Sequence, residues 1–101
     1  MPCSLLFIGA TLLLSDGPRP RGWLLVRDGC IANLGWGLNP SIPDVDQVID
    51  VGGLALAPGL VDLHAHGALG HDTMDADGAG LRAMARFYAR HGVTSFLATT
   101  M

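Results

Sequence analysis

The pattern of apolar residues in this chain changes at Pro58. Before it, short apolar runs alternate with clusters of turn-forming residues, which is typical of an all-β structure. After it, an apolar run at 60–66 is followed by a helical pattern at 77–91 and a second apolar run at 93–99. A strand, a helix and a strand in this order predict a parallel βαβ unit with a right-handed crossover. We therefore predict an α/β chain, with a small β domain over 1–57 and the start of a larger α/β domain over 58–101.

The first part is predicted to contain four or five short strands. Asp28-Gly29 separates two apolar runs, and this dipeptide is a strong signal for a two-residue hairpin turn. Residues 15–22 are rich in Gly, Pro and Arg and predict a turn, and residues 35–43 predict a loop. The expected strands cover 4–14, 23–27, 30–34, 47–51 and 54–57.

The expected helix has one apolar face, formed by residues that recur at the spacing of helical turns: Leu81, Met84, Ala85 and Tyr88. Asp75 or Asp77 can cap its first turn, and Gly92 can end it. His91 lies in the last turn, where a capping interaction is favoured over metal ligation. The strand before this helix is nearly all apolar over 60–63, so we expect it to be buried on both faces.

That strand ends in Asp62-Leu63-His64-Ala65-His66-Gly67. Side chains alternate between the two faces of a strand, so His64 and His66 point the same way, with Cα atoms roughly 7 Å apart. Imidazole nitrogen suits Zn, Fe, Co or Ni, and α/β active sites form at the carboxyl ends of parallel strands. The pair predicts two ligands of one divalent metal ion. The alternative for an isolated His-x-His is a structural or surface role.

Other polar residues near this strand have two interpretations each. Asp62 is predicted to orient the ligands through a hydrogen bond to a histidine ring or to nearby backbone, or else to be a buried carboxylate with another partner. His71 and Asp72, in the following loop, are candidates for contact with substrate or an ordinary solvated pair. Thr99 and Thr100 end the second strand, beside the expected site, although threonine is also common in strands.

Charge and cysteine content exclude several classes of partner. The net charge is −3 and the basic residues are scattered arginines, so nothing indicates binding to nucleic acid or to a membrane. Cys3 and Cys30 match no zinc or redox spacing, and we expect two reduced, buried thiols. The apolar start of the chain lacks the basic segment and cleavage site of a signal peptide, so a cytoplasmic location is expected.

Three segments carry a resemblance to a known family. Residues 57–67, Ala-Pro-Gly-Leu-Val-Asp-Leu-His-Ala-His-Gly, resemble the first-strand motif of the amidohydrolase superfamily of metal-dependent hydrolases. Residues 70–76, Gly-His-Asp-Thr-Met-Asp-Ala, and 91–100, His-Gly-Val-Thr-Ser-Phe-Leu-Ala-Thr-Thr, are similar to its N-acetylglucosamine-6-phosphate deacetylase branch. The resemblance is close over 57–100, looser over the β part, and covers the first quarter of such an enzyme.

The resemblance implies a fold and an activity. Members have a β-sandwich-like small domain, built from both chain ends, beside a (β/α)8 TIM barrel. They hydrolyse the acetamide of N-acetylglucosamine 6-phosphate, an amino-sugar phosphate, to glucosamine 6-phosphate and acetate, and are often homodimers. They use one or two divalent ions, Zn, Fe or similar. His64 and His66 correspond to ligands of one metal position. The catalytic Asp, the third-strand Glu and the phosphate-binding residues of the family have no counterpart in residues 1–101.

Two alternatives stay open at this point. One is another amidohydrolase branch, such as a dihydropyrimidinase or a deaminase. The other is a chain that is not catalytic by itself, because half of its residues are hydrophobic and only 15% are charged, as in part of a larger core. A barrel that stops after two strands also leaves an unpaired apolar edge. We therefore expect the 101-residue chain alone to be inactive and to fold poorly.

Overall fold

The structure is a computed structural model that describes residues 3–38, 41, 44–75 and 77–101. The chain divides into two compact units, Met1–Pro58 and Gly59–Met101. Strands predominate among the described residues. No helix in these ranges is long and apolar enough to cross a membrane.

The first unit contains one sheet of five strands: β1 (Ser4–Leu14), β2 (Gly17–Arg27), β3 (Cys30–Trp36), β4 (Gln47–Asp50) and β5 (Ala55–Leu56). β2 pairs antiparallel with both β1 and β3, whereas β4 and β5 run parallel to β1 along successive parts of its length. The buried core of this sheet comes from β1 and β2: Leu6, Ala10, Leu12 and Leu25. The strands predicted from the apolar runs are therefore present.

The turn between β2 and β3 is the predicted hairpin. Asp28 and Gly29 have φ angles of +50° and +77°. Two consecutive positive φ values define the type I′ turn, whose twist matches the twist of the flanking strands. Asparagine, aspartate and glycine tolerate this conformation best, which is why the Asp-Gly signal identified the hairpin.

The turn predicted over residues 15–22 is shorter than expected, because β2 already begins at Gly17. Pro18 and Pro20 therefore lie within a strand. β3 pairs with β2 only from Gly22 onward. Along the earlier part of β2, a proline removes no ladder hydrogen bond to β3, and proline is tolerated on such an edge.

Asp46, just before β4, forms hydrogen bonds with residues at the start of β1. Its Oδ2 accepts hydrogen bonds from the backbone N–H groups of Cys3 and Ser4, at 3.1 and 2.9 Å, and from the Ser4 hydroxyl at 2.7 Å. These hydrogen bonds, from the Ser4 hydroxyl first, hold the pKa of the Asp46 carboxyl below its ordinary value. The same hydrogen bonds connect the residue before β4 to the first residue of β1.

The expectation of two buried cysteines is wrong, since Cys3 and Cys30 are both exposed. Cys3 precedes β1, and Cys30 is the first residue of β3, directly after the hairpin turn. Chain ends and turns lie at the surface of a sheet, so an apolar residue there gains little burial.

The second unit contains β6 (Leu60–Ala65), β7 (Gly67–Ala68), β8 (His71–Asp72), α1 (Gly78–Arg90) and β9 (Val93–Ala98). β6 and β9 pair in parallel with α1 between them, which is the predicted βαβ arrangement. The predicted loop after β6 differs, because β7 and β8 form a small antiparallel hairpin around Leu69-Gly70. Both turn residues have positive φ, +55° and +75°.

The apolar start of β6 is exposed rather than buried. Leu60, Val61 and Leu63 are 61%, 60% and 70% exposed. The described part of this unit supplies only one neighbouring strand and one helix, so much of β6 has nothing to pack against. Burial in the second unit is concentrated at Met84 and Ala65.

The ends of α1 are capped as predicted. Asp77 is the N-cap, and its carboxylate accepts hydrogen bonds from the N–H groups of Ala79 and Gly80 at 2.9 and 3.1 Å. His91 is the C-cap, with Nδ1 donating to the Phe87 carbonyl at 2.9 Å, and Gly92 follows with a φ of +83°. These contacts satisfy backbone groups that a helix leaves unpaired at its ends.

Replacing Asp77 with alanine is expected to lower the free energy of unfolding by about 1 kcal/mol, because two helix N–H groups lose their acceptor. A denaturant titration measures this loss. Asp77→Asn is the matched control, since asparagine also caps helices well and retains a side-chain acceptor. Equal stability of the alanine and asparagine variants would contradict the capping role.

Candidate metal centre

His64 and His66 converge at the carboxyl end of β6. Their Nε2 atoms are 3.0 Å apart. The two rings meet edge to face, with centroids 4.7 Å apart and an interplanar angle of 79°. The His64 side chain is exposed and that of His66 is partly buried. The structure thus brings the two predicted ligands together.

This separation fits two ligands of one ion. Metal–imidazole distances are about 2.0–2.1 Å, so nitrogens 3.0 Å apart subtend an angle of about 94° at a shared ion. That angle lies within the range of four- to six-coordinate sites. The same separation also suits a hydrogen bond in which one ring donates and the other accepts.

Two imidazoles are fewer ligands than a catalytic site needs. Catalytic zinc sites use three protein ligands and keep a further position for water or substrate. Within the described ranges, no group of three or more His, Cys, Asp or Glu side chains is placed to hold a metal ion. A metal site that used this pair would need at least one further ligand from outside the described ranges.

Asp62 fixes the backbone at His64 and does not contact a ring. Its Oδ1 accepts a hydrogen bond from the His64 N–H at 3.0 Å. Of the two partners that the sequence left open, the structure thus selects the backbone. The contact spans two residues along the strand, so it restricts the main chain directly before the histidine pair.

The residues after His64 are held from three directions. Ala65 is hydrogen-bonded to Thr99 at both of its backbone groups. The Ala65 N–H donates to the Thr99 hydroxyl at 3.2 Å, and the Thr99 N–H donates to the Ala65 carbonyl at 2.8 Å. The His66 carbonyl accepts from the Thr73 N–H at 2.7 Å. The Gly67 carbonyl accepts from the Tyr88 hydroxyl at 2.9 Å. Strand β9, the loop after β8 and helix α1 therefore all hold the segment that carries the two rings.

The Tyr88 contact is one that sequence reasoning missed. Its spacing placed Tyr88 in the apolar stripe, and its ring does pack edge to face on Phe96, with centroids 4.9 Å apart. Tyrosine combines an apolar ring with a polar hydroxyl, so a tyrosine in such a stripe signals a hydrogen bond at its far end. Its partner, a backbone carbonyl, leaves no trace in the sequence.

His71 and Asp72 have local contacts in the β7–β8 hairpin and the loop that follows. The His71 ring lies against α1, where a Cβ added at Gly80 would be 2.9 Å from Nδ1. Asp72 accepts from the Met74 N–H at 2.8 Å, and its own N–H donates to the Asp75 carboxylate at 2.9 Å. These contacts order the loop, and contact of either residue with a substrate stays a prediction. The predicted place of Thr100 beside the site also stays a prediction.

No family model matches the chain, but individual proteins do. N-acetylglucosamine-6-phosphate deacetylase from Lysinibacillus sphaericus is 36% identical over 98 residues, which is 97% of this chain and 24% of the relative. Other matched relatives carry the same name. Dihydroorotase from Mycobacterium tuberculosis is 48% identical over 59 residues, which is 54% of this chain and 13% of that protein.

A solved structure is similar over nearly the whole chain. It is N-acetyl-D-glucosamine-6-phosphate deacetylase from Mycobacterium smegmatis in complex with N-acetyl-D-glucosamine-6-phosphate, with a TM-score of 0.76 and 25% identity over 94% of this chain. The matched part is 24% of that protein. The chain thus spans about a quarter of the length of the relatives that match most of it. The resemblance predicted from residues 57–100 is confirmed, and it extends over the β part.

Proposed function

We propose that this chain is the amino-terminal part of an N-acetylglucosamine-6-phosphate deacetylase, which hydrolyses the acetamide of N-acetylglucosamine 6-phosphate to glucosamine 6-phosphate and acetate in amino-sugar catabolism. The extent of the similarity carries this proposal, since the deacetylase match covers 97% of the chain and includes both units. The dihydroorotase match, although higher in identity, covers only 54%. In this proposal, residues 1–57 are half of a sandwich-like domain and residues 58–101 begin a (β/α)8 barrel.

The proposed cofactor is one or two divalent ions, Zn, Fe or similar, with His64 and His66 as ligands of one of them. The 3.0 Å separation of the two Nε2 atoms supports this assignment. A bound ion of this kind polarises a carbonyl group and makes water nucleophilic at neutral pH. The chain's own part is to present two imidazole side chains in a fixed relative position. No catalytic acid or base is assigned within this chain.

The remaining residues of the proposed site orient the metal ligands or lie on the substrate side. Asp62 is assigned to fix the His64 backbone through the observed hydrogen bond. His71 and Asp72 are assigned to the substrate side, because their hairpin follows the metal-ligand strand after a single residue, His66. The hydrogen bonds within this loop would hold it in place as the substrate binds.

The proposed partner is a small-molecule amino-sugar phosphate. We assign the enzyme to the cytoplasm as a homodimer that binds neither nucleic acid nor membranes. The net charge of −3 and the lack of lysine support the exclusion of polyanionic partners.

The assay of acetate release tests this function. The full-length protein that contains this chain is expected to hydrolyse N-acetylglucosamine 6-phosphate, and to lose this activity when a chelator removes the metal. The isolated 101-residue chain is expected to be inactive in the same assay. Turnover of dihydroorotate or of a deaminase substrate, without acetate release from the amino sugar, would assign the protein to another amidohydrolase branch. Robust turnover by the isolated chain would contradict its proposed role as one part of the site.

A further inference from the structure

We propose that Thr99 is a positioning residue for the metal, because its side chain fixes the main chain between His64 and His66. This inference rests on the proposed function of the histidine pair as metal ligands. The residue lies directly after β9, on the strand that neighbours the pair. The hydrogen bonds of its side chain go to main-chain groups, so its effect would pass through the backbone.

The register of β6 and β9 shows why extra support is needed here. Asp62 pairs with Phe96 and Ala65 pairs with Ala98, so three steps along β6 match two steps along β9. One extra residue is therefore accommodated in β6 between Asp62 and Ala65, where Leu63 and His64 lie. Such a bulge interrupts the ladder and changes the direction of a side chain, and bulges recur next to active sites. It also means that regular pairing does not by itself fix the main chain at His64.

Side chains hold the main chain on both sides of this bulge. On the amino-terminal side, the Asp62 carboxylate accepts a hydrogen bond from the His64 N–H. On the far side, the Thr99 hydroxyl accepts from the Ala65 N–H at 3.2 Å and donates to the Leu97 carbonyl at 3.1 Å. The hydroxyl thus links β6 to β9 at the one residue that separates the two histidines.

The environment of Ala65 makes this link effective. Ala65 is only 5% exposed, so water has little access to replace the threonine hydroxyl. Its carbonyl accepts from the Thr99 N–H at 2.8 Å and from the Thr73 hydroxyl at 3.4 Å. A change at the Thr99 side chain would therefore shift the peptide groups on both sides of Ala65, and with them the 3.0 Å separation of the imidazole nitrogens.

The test is the metal affinity of the full-length protein, measured by Co²⁺ titration of the apoprotein against a chelator. Thr99→Val removes the hydroxyl at nearly constant shape and is expected to weaken Co²⁺ binding about 10- to 100-fold, as for other groups that orient metal ligands. The visible absorption bands of bound Co²⁺ are expected to change as well, because they report the arrangement of the ligands. Thr99→Ser retains the hydroxyl and is expected to restore both.

Thr94→Val is the matched control. Thr94 lies on β9 at the opposite end of the same strand pair, and its hydroxyl donates to the Leu60 carbonyl at 3.5 Å. This variant removes a similar hydroxyl bridge far along the strands from the histidines, and it is expected to bind Co²⁺ like the unaltered protein. Equal losses in the two valine variants, or normal affinity in Thr99→Val, would overturn the proposal.

Three further outcomes are distinguishable. If Thr99→Val does not fold, Thr99→Ala takes its place with the same expected loss, and failure of Thr99→Ser to restore affinity overturns the proposal. If the unaltered protein binds Co²⁺ through the histidines but releases no acetate, the proposed substrate is wrong. The Co²⁺ titration of the variants then still decides the role of Thr99. If it releases acetate and Thr99→Val binds Co²⁺ normally, only the role of Thr99 is wrong.

Discussion

Replacing His64 or His66 with alanine is expected to lower the metal affinity of the full-length protein by more than 100-fold. The loss should exceed the roughly 10- to 100-fold effect of removing a group that only orients a ligand, because a donor atom itself is lost. In the proposed deacetylase, acetate release is expected to fall with the metal content, because a bound ion would polarise the carbonyl group and activate the attacking water. Elemental analysis of the purified variants and the rate of acetate release measure the two effects together.

His91→Ala is the control for the histidine variants. His91 is also exposed, but its Nδ1 is hydrogen-bonded to the Phe87 carbonyl at the end of α1. Its replacement removes a helix-capping contact and is expected to leave metal content unchanged. Normal metal content in both His64→Ala and His66→Ala would show that their 3.0 Å contact is a hydrogen bond between rings and not half of a metal site.

Met84→Ala is expected to destabilise the second unit by about 2–5 kcal/mol, the usual cost of truncating a large buried side chain. Met84 is 0% exposed and is the largest side chain buried in this unit. Its loss would leave a cavity between α1 and the elements on which it packs. Hydrogen exchange of the α1 amides in the full-length protein measures the effect, because local opening of the helix becomes more frequent.

Met74→Ala provides the comparison at a surface position. Met74 is 54% exposed, so the same substitution there creates no enclosed cavity. Exchange of the α1 amides is expected to stay close to that of the unaltered protein. If Met84→Ala and Met74→Ala had similar effects on these amides, the packing of α1 would not depend on Met84.

The features that could be predicted from the sequence are those with a local cause. Asp28-Gly29 adopts the two positive φ angles that its residue types tolerate, and Asp77 caps the helix that follows it. The pairing of His64 and His66 followed from their separation by one residue. For the turn and the helix cap, a few neighbouring residues determine the geometry; for the histidines, the spacing predicted only that the two side chains share one side of the chain.

The features that were missed depend on distant partners. β2 extends through Pro18 because β1 pairs with it there, and nothing near Pro18 in sequence reports that partner. The bulge at His64 reflects the register against β9, about 30 residues later, which side-chain alternation within β6 does not encode. The β7–β8 hairpin has only two residue pairs, too few for an alternating pattern to appear.

The single neighbour of β6 has a consequence for the time course of synthesis. Within the described residues β6 pairs with β9 alone, and its leucines and valine are exposed. In the proposed barrel, the other edge of this first strand would be covered by the last one, about 250 residues into the barrel. Ribosomes add roughly 5–20 residues per second, so this edge would stay uncovered for about 10–50 s in each nascent chain. The exposed leucines and valine of β6 would therefore be open to association with other chains during that interval.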